Sequence, residues 1–479
     1  MTPFQKEKVK KIVGANNYLD SHEDRLCYSY DGTPIFQQLP EAVVFPESEE
    51  QISQIIKLAN QEKFNIVPRG AGTGLSGGSI PVENSVVIVL TRWNKILEID
   101  TKNLTATVQP GVITAMLQKE VEKIGLFYPP DPGSMNVSTI GGNVANNAGG
   151  LRGLKYGVTK NYVLGTELIL PSGELLKTGG KNMKDVAGYN LRDFIIGSEG
   201  TLGIITKVLL KLVPLPTNSV TLLAYFDKLV DSASSVSDIV AAHITPSMME
   251  FLDNTTINCV EDYTKIGLPR NSEAVLLIEV DGRGSIVQED AETIKNILKK
   301  NRASFVRVAD SAQEALKLKT ARRSAFSALA RKRPTTILED ATVPRSELPI
   351  MIEKVAEAAR KFDLTFGDFG HAGDGNLHPT CLTDERDNQE INRAHRAFEF
   401  IFNEAIKLGG TITGEHGTGL SKKQFLELVA GAPGVDMMMK IKSVIDENNI
   451  MNPGKIFSIS PRCEGMMPRH KEAIHNYKE

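Results

Sequence analysis

"PRGAGTGLSGGSIPVENSVVIVL", residues 68–90, settles the architecture through the residues placed after its glycines. Gly72, Gly74 and Gly77 satisfy the GxGxxG pattern of a dinucleotide-binding turn. Such a turn offers the amino-terminal end of a helix to a diphosphate, so a helix must begin at once. Here a proline comes next and then the apolar run SVVIVL, which is a strand. The Rossmann reading therefore fails. Five glycines in residues 69–78 still leave many backbone amides free to close on an anion as a nest, although a plain glycine-rich turn has the same composition.

On either side of this loop the pattern is regular. "AVVFPESEEQISQIIKLANQEKFNIVPRG" reads as strand, helix and strand, with Ser48 and Gln51 as a capping box. "TATVQPGVITAMLQKEVEKIGLFYPP" predicts a strand, a Pro-Gly break and a helix ending near Gly125. Residues 141–157 hold too many glycines for regular structure, and "ELILPSGELLKTG" turns a hairpin at Pro171 to Gly173. Two prolines in "KVLLKLVPLPTNS" close this region near residue 217. Beyond it, "VTLLAYF", "SMMEFLD", "AVLLIEV" and "ASFVRVAD" alternate with helices from about 228 and 285 as in a ferredoxin-like split βαβ module. Residues 390–408 have helical periodicity, and "ENNIMNPGKIF" ends the compact part. The expectation is an α+β protein with a first domain at 1–217, a substrate or cap domain at 218–458, and a polar tail at 459–479.

Composition narrows the function. Hydrophobic content of 41% and charged content of 24% are those of an ordinary globular protein. A net charge of −3 gives no reason to expect nucleic acid. Apolar runs such as AVLLIEV are far shorter than the roughly 20 residues of a membrane span, and the charged amphipathic start has no signal-peptide core. These features predict a cytoplasmic protein. Cys27, Cys259, Cys381 and Cys463 are scattered without CxxC spacing, which argues against an iron–sulfur cluster within the chain.

"GHAGDGNLHPT", residues 370–380, carries His371 and His378 around a run of glycines. A two-residue turn at Asp374 and Gly375 predicts a hairpin in which 371 directly faces 378, with β-carbons about 5 Å apart on one face. That suits two nitrogens sharing a metal ion; an ordinary hydrogen-bonded pair is the competing reading. "GGTITGEHGTG", residues 409–419, sets Glu415 beside His416 between glycines, which by itself is equally an exposed loop pair.

Two further stretches, "YPPDPGSMNVSTIGGNVANNAGG" (128–150) and "IIGSEGTLGIIT" (195–206), combine small residues with Ser, Thr and Asn, as close backbone approach to a large planar cofactor requires. Together with PRGAGTGLSGG, GHAGDGNLHP, GEHGTG and NPGKIF, they make residues 20–458 resemble the FAD-linked oxidases of the vanillyl-alcohol-oxidase (PCMH-type) fold. Within that family the resemblance is to glycolate oxidase D subunits and to D-lactate and D-2-hydroxyglutarate dehydrogenases.

The resemblance implies a two-subdomain FAD-binding domain followed by a ferredoxin-like substrate domain. FAD would place its pyrophosphate on Arg69, Gly70, Ala71, Gly72, Thr73 and Gly74. Its isoalloxazine would lie near Asp131, Pro132, Ser134, Thr139, Gly142, Asn143, Asn146 and Gly149, and along Gly150, Gly153, Tyr156 and Gly157. Gly203, Ile204, Ile205 and Asn452 complete the set, with Lys455 beside them. Thr73 stands where some relatives carry a flavin-linking histidine, so non-covalent FAD is expected.

The same resemblance makes Glu415 the third ligand, with His371 and His378, of a divalent zinc, iron(II) or manganese ion. It makes His416 the base, and it favours Arg322 over a solvated Arg323 for the substrate carboxylate. A small 2-hydroxy acid, glycolate or D-lactate, would be oxidised to the 2-oxo acid by hydride transfer to flavin N5. Leu338 occupies the place of a lysine in hydroxyglutarate-specific relatives, which favours the smaller acids. Electrons would pass to a second flavin subunit and an iron–sulfur subunit, through which the chain would sit at the periphery of the inner membrane. The rival readings are a metal-dependent hydrolase and a non-catalytic flavin scaffold.

Overall fold

The structure is a computed structural model that describes residues 1–458; the polar tail expected at 459–479 lies outside the described residues. Strands β1 (Tyr18–Leu19), β2 (Ala42–Val44), β3 (Asn65–Arg69) and β4 (Ser85–Val89) form a sheet in the order β1-β2-β4-β3, with β4 parallel to both β2 and β3. The helix Glu49–Glu62 covers it through Ile52, Ile55, Ile56 and Ala59, a spacing that puts all four on one face. Ser48 Oγ accepts from the Gln51 N–H at 3.2 Å, as a cap should. The expected capping box is not closed, because the Gln51 side chain accepts instead from the N–H of Glu47.

Next come β5 (Ile96–Asp100), β6 (Thr105–Val108), β7 (Leu126–Phe127), β8 (Val163–Ile169), β9 (Leu175–Gly179), β10 (Ile204–Lys211) and β11 (Val213–Pro214). Five of them make an antiparallel sheet in the order β5-β6-β10-β8-β9, and β7 pairs with β11. The hairpin at Pro171 to Gly173 joins β8 to β9.

The irregular structure expected over 141–157 is corrected: Ile140–Asn146 and Gly153–Tyr156 are helical. Thr139 caps the first of these through its hydroxyl and the Gly142 N–H, and packing outweighs the poor helix propensity of glycine. A β-carbon on Gly141 would stand 2.5 Å from Pro110 Cβ, so only glycine lets this helix approach so closely.

The remaining strands are β12 (Asn218–Phe226), β13 (Met248–Asp253), β14 (Ala274–Gly282), β15 (Phe305–Val308), β16 (Thr335–Leu338), β17 (Ala341–Thr342), β18 (Thr365–His371) and β19 (Asn376–Thr383). They form one antiparallel sheet, β15-β12-β14-β13-β18-β19-β16, with β17 also on β19. Its first four strands follow the ferredoxin-like order. The helices Leu229–Ala241, Ile286–Lys300, Leu348–Phe362 and Asn388–Lys407 bury one face, with Phe366, Leu377 and Phe402 in that core. Phe369 and Leu252 belong to the other face, against helices Asn254–Thr264 and Ala312–Arg323. Side chains alternate along a strand, so His371 and Glu250 share that second face. Among the described residues no helix is long and apolar enough to cross a membrane.

Candidate active site

A cavity of about 460 Å³ runs from the glycine loop of the first region to the second face of the large sheet. Arg69, Gly70, Ala71, Gly72, Thr73 and Gly74 line one end. Pro132, Ser134, Thr139, Gly142, Asn143, Asn146, Gly149, Gly203 and Ile205 line its length. Arg322, His371, His378, Glu415 and His416 line the other end, with Leu338 and Phe369 beside them. A β-carbon on Gly149 would sit 2.6 Å from Glu415 Oε2, so the two halves of the cavity meet in direct contact.

Other residues named from the sequence lie behind this wall. Asp131 is buried and receives the N–H of Arg152 at 3.1 Å and Arg323 Nη2 at 2.9 Å. Arg323 is therefore ion-paired across the two regions and touches the cavity, which corrects the expectation that it is solvated. Gly150 abuts the Asp131 backbone, and Gly153 lies against Asp374 Oδ2. Tyr156 donates its hydroxyl to Asp281 at 2.7 Å, and Gly157, with φ +79°, ends the helix before it. Ile204 is core. Asn452 donates to Gly78 O and Glu199 O, and Lys455 donates to Ile80 O.

The hairpin register also differs from the expectation. His371 pairs with Asn376, and His378 with Phe369, because the chain turns over four residues, 372–375, through a short 3-10 turn. His371 and His378 are diagonal neighbours and not direct ones. The offset is two residues, which preserves the face, and their rings meet edge-on with centroids 5.0 Å apart.

Glu415 Oε1 is the centre of the acid end. It stands 3.2 Å from His371 Nε2, 3.3 Å from His378 Nε2 and 3.3 Å from His416 Nε2. His371 Nδ1 is held by both oxygens of Glu250, at 2.8 and 3.0 Å. Glu250 in turn ion-pairs with Arg322 Nη2 at 2.6 Å. His416 stacks on His378 at 5.0 Å.

Burial alone would raise the Glu415 carboxyl, but His371, His378 and His416 outweigh it and hold the group well below the usual carboxylate range. Burial likewise opposes the charge on His371, yet Glu250 and Glu415 raise its imidazole well above the ordinary value. His378 is pushed down to about 4 by burial, which Glu415 only partly offsets. These shifts describe a buried carboxylate facing three imidazoles, a set that favours either a proton or a cation at its centre.

The donor chemistry fits a divalent ion. His371, His378 and Glu415 offer ligand atoms within 4.8 Å of one another. Glu250 on the far nitrogen of His371 is the outer carboxylate that typically fixes a ligating imidazole.

Two buried carboxylates that complete the cluster were not anticipated. Glu250 stands in the otherwise apolar "MMEFL", where a charge on an inward position was the available signal. Asp340, beside the 413–416 turn, gave no signal in the sequence at all.

A glycine-lined cavity is thus fused to a buried acid–imidazole site. Residues 40–179 match the model described as FAD binding domain, and 215–456 match FAD linked oxidases, C-terminal domain. The chain belongs to the FAD-linked oxidases. It is 52% identical to "Glycolate oxidase subunit GlcD" of Bacillus subtilis (strain 168), over 96% of this chain and 98% of that one. It is 35% identical to "D-lactate dehydrogenase" of Anaerostipes hadrus, over 95% and 98% of the two chains. In structure it superposes on p-cresol methylhydroxylase with substrate bound, at a TM-score of 0.78 and 18% identity, over 95% of this chain and 96% of that one. The last likeness establishes a shared α+β, PCMH-type fold.

Proposed function

We propose that this chain oxidises a small 2-hydroxy acid, glycolate or D-lactate, to the 2-oxo acid, with non-covalent FAD taking up the electrons. One observation carries the reading. The cavity that suits a flavin at its glycine end terminates in a carboxylate, three imidazoles and a buried arginine. Names of relatives, glycolate oxidase subunit and D-lactate dehydrogenase, support the substrate class.

FAD would supply the hydride acceptor, and a zinc, iron(II) or manganese ion on His371, His378 and Glu415 would supply Lewis acidity toward the substrate hydroxyl. The chain's own residues do the rest. Arg322 is 4% exposed, and its Nε is buried without a hydrogen-bond partner, a donor that suits the substrate carboxylate. His416 takes the hydroxyl proton at Nε2, the nitrogen that faces the site. Phe369, in cation–π contact with Arg322 at 4.8 Å, helps to keep water from the guanidinium. Leu338 on the cavity wall offers no charge to a second carboxylate, so the smaller acids fit better than D-2-hydroxyglutarate.

In this reading residues 1–217 hold FAD and 218–458 hold the acid. Cys259 and Cys381 are buried and unpaired, and Cys27 is exposed. Reduced flavin would pass electrons outward to a second flavin subunit and an iron–sulfur subunit, a reading that the relative's name, a glycolate oxidase subunit, supports. A cytoplasmic complex at the inner membrane is the matching location. Membership in the FAD-linked oxidases speaks against the hydrolase reading, and the scaffold reading predicts no flavin bleaching by any hydroxy acid.

Anaerobic addition of glycolate, D-lactate, L-lactate and D-2-hydroxyglutarate to the flavin-loaded protein tests this. Glycolate or D-lactate should bleach the visible flavin bands fastest; no bleaching by any of the four would sink the assignment. In a separate preparation, His371→Ala should keep its flavin and lose its divalent metal, read by elemental analysis. Metal content equal to that of the unaltered protein would remove His371 from the ligand set.

A further inference from the structure

The 413–419 loop carries both Glu415 and His416, and five of its backbone N–H groups end on two buried carboxylates from distant parts of the chain. Asp340, between β16 and β17, accepts at Oδ2 from the N–H groups of Gly414, Glu415 and His416 at 2.9, 2.9 and 3.0 Å. The same oxygen receives the Thr413 hydroxyl at 2.8 Å, and Asn376 Nδ2 donates to Oδ1. Glu199, from the first region, accepts from the N–H groups of Thr418 and Gly419 at 2.7 and 2.8 Å. Asp340 is fully buried, and its nearest lysine, Lys422, is fully buried as well, with Nζ at 3.8 Å.

One further contact links this anchor to the chemistry. His416 Nδ1 is buried without a hydrogen-bond partner, and Asp340 Oδ2 lies 3.8 Å from it. The opposite nitrogen, Nε2, faces Glu415. Asp340, His378 and His416 also have ligand atoms within reach of a common point. Four donors already occupy Asp340 Oδ2, so the carboxylate is an anchor for the turn and not an open ligand, and it faces His416 Nδ1 as a fixed negative charge and not as a hydrogen-bond acceptor.

We propose that Asp340 is a positioning residue for the oxidation. It pins the 413–416 turn so that Glu415 and His416 enter the site together, and it aligns the His416 ring with Nδ1 toward its own carboxylate and Nε2 toward the substrate. This rests on the reading of His416 as the base. The arrangement is that of a carboxylate orienting an imidazole by its charge: at 3.8 Å it is beyond hydrogen-bond distance, but it favours the ring orientation that turns Nδ1 toward it.

Asp340→Ala would strand several buried N–H groups and is a poor probe, because it endangers the fold. Asp340→Asn keeps an oxygen for the turn while removing the charge. In the full-length, flavin-loaded protein, anaerobic reduction by glycolate and D-lactate should slow roughly 10- to 100-fold. The concentration giving half the limiting rate should move by less than about twofold, since ground-state binding is untouched. The visible flavin spectrum and metal content should match those of the unaltered protein. Combined with His416→Ala, Asp340→Asn should cause no additional loss, because it acts through that ring.

Reduction at the unaltered rate in Asp340→Asn, with His416→Ala slow, overturns the positioning role alone. Losses that multiply in the double variant overturn it too, since a purely structural contribution would be independent. Normal reduction by His416→Ala overturns both this proposal and the base assignment.

Discussion

His416→Ala is expected to retain FAD and metal and yet slow anaerobic flavin reduction by on the order of 10²- to 10⁴-fold, the usual contribution of a positioned general base. The ring stacks on His378 and faces Glu415, but without it the Glu415 carboxylate keeps His371 and His378 within 3.3 Å and its backbone N–H on Asp340, and His378 is held by its strand. Removing the imidazole therefore deletes the proton acceptor and leaves the surrounding site assembled. Rapid-mixing measurement of flavin bleaching with glycolate or D-lactate is the direct check. If the rate is unchanged while flavin and metal are retained, another group takes the proton.

Glu250→Ala should have the largest effect on stability. Glu250 is fully buried between Arg322, at 2.6 Å, and His371, at 2.8 Å. Burial alone would raise its carboxyl, but Arg322 and then His371 outweigh it and keep it below the ordinary range, so the group is an anion. Truncation leaves a guanidinium that is 4% exposed without its closest counter-charge. Breaking a buried pair in this way typically costs about 3–5 kcal/mol. His371 also loses the carboxylate that orients it, so metal affinity should fall roughly 10- to 100-fold. A lowered unfolding midpoint together with metal loss on dialysis is the expected result. An unchanged midpoint would mean that Glu415 alone neutralises Arg322.

The difference between the expected and observed hairpin shows how far local pattern carries. Asp374 and Gly375 marked a turn, and the turn is there, but it spans four residues. Register depends on turn length, which backbone energetics in the folded sheet decide. The conclusion about the shared face survived only because the error was an even number of residues. Over 141–157 the composition misled, since glycines that weaken an isolated helix are here what allows it to pack on Pro110. Arg323 could not be told from Arg322 by composition, and what separates their roles is Asp131 on one side and Glu250 on the other.

Local chemistry along the chain was enough to establish the failure of the Rossmann test at residues 79–90, the two-region order of strands and helices, and the chemical types gathered in the GHAGDGNLHP and GEHGTG stretches. Spacing and residue type express such nearest-neighbour preferences directly. The folded arrangement alone selected which carboxylates serve those imidazoles: Glu250, 121 positions from His371, and Asp340, 76 positions from His416. A buried charge must be met by a partner, but any of many distant groups would satisfy that need. The choice is made where strands and loops are brought together by packing that no local pattern encodes.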